Sequence, residues 1–68
     1  MLAIRKFRKE KNMTQGELGE RLGVTASAVT MWESGSREPN LSMVKKIANV
    51  FNCKVDDLFP EENFDKAE

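Results

Sequence analysis

Four residues between positions 14 and 35 punctuate the chain so tightly that they leave room for two short helices and almost nothing between them. Thr14-Gln15-Gly16-Glu17 has the form of a capping box, with a hydroxyl at the cap and a carboxylate three residues on to satisfy the cap's own N–H. Gly23 follows as a stop, because glycine enters the left-handed backbone region without steric cost. Thr25 then caps a second helix running to about Ser34, and Gly35 stops that one. Helices joined by so short a turn must pack closely. Gly19, midway along the first, supplies the small residue needed where the second crosses it, and Leu18, Leu22, Val24, Val29 and Trp32 supply apolar side chains at inward offsets. These positions match helix-turn-helix geometry, at about residues 14–34, rather than any helical hairpin.

The flanking segments also read as helices. Residues 2–11 carry Ile4 and Phe7 on one stripe, with bases on the other faces, before "NMT" interrupts them. Asn40 can cap a helix whose stripe is Val44, Ile47, Ala48 and Phe51. "FNCK" breaks it, "VDDLF" suggests a final short turn of helix, and Pro60 ends the regular structure. There is no strand alternation, repeat or low-complexity segment. The expected fold is all-α, a compact bundle of five short helices over residues 1–60, followed by an acidic tail at 61–68.

Composition narrows the function classes. The chain has 68 residues, no His, no Tyr and one Cys, which removes the commonest general base, an internal disulfide and the usual zinc ligands. Neither an enzyme, a metal site nor a cofactor is expected. Cys53 has only Lys54 beside it to lower its pKa, so it reads as a small semi-buried residue. No apolar run is long enough to span a bilayer and no signal-peptide core is evident, so a cytoplasmic location is expected. The net charge of zero hides an asymmetry. Residues 1–54 hold ten Lys and Arg against five Glu, a net of +5, and residues 55–68 hold one Lys against six acids, a net of −5. A basic body with an acidic end suits a polyanionic partner.

The order of landmarks carries a resemblance. Arg8, Thr14-Gln15, Leu18-Gly19, Leu22-Gly23-Val24, Val29, Trp32-Glu33, Gly35, Pro39, Leu41, Ile47-Ala48 and Asp57-Leu58-Phe59 together resemble the phage-repressor-like helix-turn-helix regulators, the xenobiotic-response-element family, over residues 4–59. The resemblance implies a lambda-repressor-like fold and a transcriptional regulator of double-stranded DNA, a repressor acting as a homodimer on an inverted repeat. It implies that Arg8 and Glu33 form an ion pair tying the first helix to the end of the recognition helix. It also implies that Gln15 grips the DNA backbone, where a helix N-terminus already favours phosphate, and that the loop of Ser34, Ser36 and Arg37 runs beside the phosphates, with Thr14 a further phosphate contact. There are two departures from the family. Gly19 stands where Ala is usual, which should weaken the helix by about 0.5–1 kcal/mol. Ala26 and Ser27 stand where Arg, Gln or Lys is frequent.

That second departure poses the functional question, since residues 24–35 contain no Arg, Lys, Asn or Gln. With Val29 and Trp32 inward, the helical period turns Ala26, Ser27, Thr30 and Met31 outward, and Thr25 stands at the cap beside the groove. Methyl groups and the Met31 chain can pack on thymine methyls, and the hydroxyls can make single hydrogen bonds to bases. Bidentate pairs, worth about 1–3 kcal/mol of discrimination each, are missing. A two-fold dimer and DNA shape would have to supply the rest. Val55, Leu58, Phe59 and Phe64 offer a surface for such a dimer, against the alternative that Leu58 and Phe59 complete the monomer core. A competing function is a protein-docking module whose mild third helix binds another regulator or a toxin–antitoxin type of partner. No small-molecule ligand is expected of either.

Overall fold

The computed structural model describes residues 2–59. In it the chain folds as α1 (Ile4–Glu10), α2 (Gln15–Leu22), α3 (Ala26–Ser34) and α4 (Leu41–Phe51), closed by one 3₁₀ turn (Val55–Leu58). Four α-helices and a 3₁₀ turn therefore stand where five helices were expected, and no strand occurs among the described residues. The fifth element is a single turn: Asp57, three residues past Lys54, accepts from the Lys54 N–H at 3.0 Å at its start, and Phe59 leaves it in extended backbone.

The caps set the lengths. Thr14 and Glu17 form the reciprocal box, with Glu17 N–H donating to Thr14 Oγ1 at 3.0 Å and Thr14 N–H to Glu17 Oε1 at 2.8 Å. Thr25 and Asn40 accept from the N–H groups of Ala28 and Met43 at 3.1 and 2.8 Å. Gly23 and Gly35 turn left-handed at φ 78° and 87°, and Asn12 and Asn52 do the same at 56° and 57° after α1 and α4. α1 is shorter than the 2–11 stripe: Ala3 caps it without a side-chain hydrogen bond, and Leu2, though outside the helix, is still buried.

The core gathers one face from every element: Leu2 and Ile4, Leu18 and Leu22, Val29 and Trp32, then Val44, Ile47, Ala48 and Phe51, with Leu58 beneath. Cross-links between distant segments lock it. Phe7 stacks on Phe51 with ring centroids 5.7 Å apart and planes inclined by 20°, joining α1 to α4. Ala3 N–H donates to the Leu58 carbonyl at 2.7 Å, closing the N-terminal segment onto the 3₁₀ turn. Lys46 Nζ reaches back from α4 to the Leu22 carbonyl at 3.3 Å, satisfying one of the acceptors that the end of α2 leaves free.

Gly19 lies buried under the α2–α3 turn, and the space there is smaller than alanine. A Cβ built on it would stand 2.7 Å from the Val24 carbonyl oxygen and 3.2 Å from the backbone carbon and oxygen of Thr25. The same approach lets Val24 N–H donate to the Gly19 carbonyl at 2.8 Å. The missing side chain is thus what permits the turn's backbone to pack on α2.

Candidate nucleic-acid interface

α3 is buried on one side by Val29 and Trp32 and open on the other, where Thr25, Ala26, Ser27, Thr30 and Met31 are all exposed. The five residues expected to meet bases therefore share one continuous surface. It carries methyls, one thioether and three hydroxyls, and no charge.

Behind this surface runs a polar chain that orients α3 against α1 and α2. Arg8 sits in the protein with its side chain 10% exposed, opposite a Glu33 side chain 7% exposed. Its Nε donates to Glu33 Oε2 at 2.7 Å, its Nη2 to Oε1 at 3.1 Å and its Nη1 to the Met13 carbonyl at 2.8 Å. The pairing is bidentate, the geometry in which guanidinium and carboxylate fit best. Burial pushes the Glu33 carboxyl up, but the hydrogen bonds from Arg8 and Gln15 and the nearby positive charge outweigh it and hold the group below the ordinary range. The hydrogen bond to Glu33 raises Arg8 in turn, against the opposing effect of burial.

Gln15 extends the chain. Its Nε2 donates to Glu33 Oε1 at 3.0 Å and its Oε1 accepts from the Thr30 hydroxyl at 2.7 Å. The first residue of α2 is thus half-buried and bound at both ends of its amide, a placement that the sequence did not reveal, since its partners lie 15 and 18 positions away. One of the two Nε2 hydrogens remains for a further acceptor.

The remaining phosphate candidates divide. Thr14 Oγ1 accepts from Glu17 N–H in the capping box, which leaves the hydroxyl proton to donate elsewhere. Ser34 and Ser36 turn inward on their own loop: both hydroxyls point to the Met31 carbonyl, at 3.1 and 3.4 Å, and lie 3.0 Å from each other. The N–H groups of Gly35 and Arg37 converge on the same carbonyl at 3.1 and 3.2 Å. These serines close the end of α3, so the loop's charge comes from the exposed Arg37. At the other end of the molecule the four residues considered for a dimer surface also separate. Leu58 is fully buried in the monomer core, where the 3₁₀ turn packs on α4, and it is removed from the surface. Val55 is half-buried, Phe59 is 39% exposed, and Phe64 lies outside the described residues. Cys53 is half-buried, and burial with the nearby Asp57 pushes its thiol up, away from a reactive thiolate.

The helix-turn-helix family model matches residues 4–58, the whole of this framework. The chain belongs to that family. Its type is the phage-repressor-like, xenobiotic-response-element one, whose members are DNA-binding regulators of transcription. A helix-turn-helix transcriptional regulator of Archaeoglobus fulgidus is 45% identical over 56 residues, which are 82% of this chain and 79% of that protein. The transcriptional activator BcrR of Enterococcus faecalis is 37% identical over 59 residues, 87% of this chain but 29% of its own length. Among solved structures, the P22 c2 repressor, crystallised with a synthetic operator in the presence of Tl⁺, superposes with a TM-score of 0.77 at 32% identity, covering 82% of this chain and 85% of that one.

Proposed function

We propose that this chain is a sequence-specific repressor that binds double-stranded DNA in the cytoplasm as a homodimer on an inverted repeat. The observation that carries the proposal is the uncharged, exposed face Thr25–Ala26–Ser27–Thr30–Met31, held at a fixed attitude by the Arg8–Glu33–Gln15 chain. In this reading Thr25, Ala26, Ser27, Thr30 and Met31 lie against base edges. The free Nε2 hydrogen of Gln15, the Arg37 guanidinium and the backbone around Thr14, Ser34 and Ser36 meet phosphates. Repression is favoured because the solved structure that superposes on this chain is a repressor with its operator. A dimer would use the surface around Phe59 and Val55, which the monomer leaves at least partly open.

A protein-docking function has one observation in its favour: Met31, 36% exposed, and Ala26 give the same face an apolar character. Selection of bound duplexes from a random pool separates the two. A DNA reader returns an inverted repeat with an affinity that falls steeply as salt rises, because phosphate contacts release counterions. An apolar docking surface returns no sequence and responds little to salt.

A further inference from the structure

Thr30 is the one residue of the exposed α3 face whose hydroxyl is tied into the polar chain behind it, and the direction of every hydrogen bond in that chain is fixed from one end. Glu33, held as a carboxylate by Arg8, has no proton to give, so the Gln15 amide must turn its nitrogen toward it, at 3.0 Å. That leaves Gln15 Oε1, an acceptor, facing Thr30 Oγ1 at 2.7 Å. The Thr30 hydroxyl must therefore donate inward, and its only other close partner among the described residues, the Ala26 carbonyl at 3.0 Å, is again an acceptor. Its single proton is committed either way. What Thr30 presents outward is a lone pair and a methyl group.

We infer that Thr30 is a specificity-determining residue that accepts, and does not donate, a hydrogen bond in the major groove, selecting a base with an amino group there. Adenine N6 and cytosine N4 carry such a group, whereas guanine (N7 and O6) and thymine (O4) offer only acceptors to it and are rejected. This rests on the DNA-reading function proposed above and assigns one of its base preferences. The methyl group of Thr30 stays available for a neighbouring thymine methyl. Arg8, Glu33 and Gln15 act through Thr30, as positioning residues.

Two measurements test it. In the free protein, NMR in water should find the Thr30 hydroxyl proton protected from exchange; a freely exchanging proton would overturn the assignment without touching the DNA-binding function. Duplex selection should then be run with the native chain, Thr30→Val and Thr30→Ser, each first checked for an unchanged thermal transition. The expected result is one position per half-site where guanine is depleted about two- to tenfold against adenine or cytosine, the range of a single net hydrogen bond. Thr30→Val should abolish that preference and leave the others, and Thr30→Ser should keep it. Guanine enriched at the Thr30-dependent position, or a Thr30→Val profile identical to the native one, overturns the inference while sequence-specific binding stands. Recovery of no sequence by the native chain at low salt overturns the DNA reading, and the inference with it.

Discussion

The substitution of Gly19 by alanine sets two opposed effects against each other at one atom. Helix propensity favours alanine by about 0.5–1 kcal/mol. The added methyl, however, would stand 2.7 Å from the Val24 carbonyl oxygen, and backbone cannot rotate away as a side-chain tip can. Overpacking of this kind costs about 1–3 kcal/mol, so Gly19→Ala is expected to destabilise the domain by about 1–2 kcal/mol, measured by urea unfolding. An increase in stability would mean that the turn yields readily. Glu33 makes the second prediction at this scale. Its pKa is lowered in the folded state from an ordinary 4.5, so the stability it contributes is fully present above that value and is lost as the pH falls through the folded pKa. The native domain should therefore lose stability below about pH 4.5, and the slope there should be shallower in Glu33→Gln. Thermal melts between pH 6 and pH 3 would measure it, and identical slopes would exclude Glu33 as a source of the acid sensitivity.

Among the elements, the ends were more legible in the sequence than the links between them. Thr14, Thr25, Asn40, Gly23 and Gly35 act within a few residues of themselves, so their caps and stops could be read locally, and α2 falls where the capping box and glycine put it. Periodicity likewise separated the buried Val29 and Trp32 from the exposed face of α3. α1 is shorter than its apolar stripe because an apolar residue at position 2 fits a helical stripe as well as the non-helical segment that buries it. Polar links across the fold left little local signal: Gln15 reads as a phosphate ligand from its place at a helix N-terminus, and only the packed structure brings Thr30 and Glu33 to its two ends. Ser34 and Ser36 leave as little local signal, since only the folded loop brings both hydroxyls to the Met31 carbonyl.

For the molecule as a whole, the Phe7–Phe51 stack joins the first and last α-helices. Phe51 is 2% exposed, and truncating a buried phenylalanine to alanine costs about 3–5 kcal/mol. A core of this size rarely supplies more than about 3–5 kcal/mol in total. Phe51→Ala is therefore expected to leave the chain largely unfolded at 37 °C, read by loss of helical circular dichroism, and a retained cooperative transition would show that the core holds without the stack. Because α2 and α3 meet backbone against backbone at Gly19 and are held by the Arg8–Glu33–Gln15 chain behind them, the attitude of the outer face does not rest on Ala26, Ser27 or Met31. Ala26, Ser27 and Met31 are exposed and lie outside the ion-pair chain. In the proposed DNA-reading function they would be an interchangeable vocabulary on a fixed mount, so that rewriting three surface letters would specify a new target while the scaffold beneath keeps its shape.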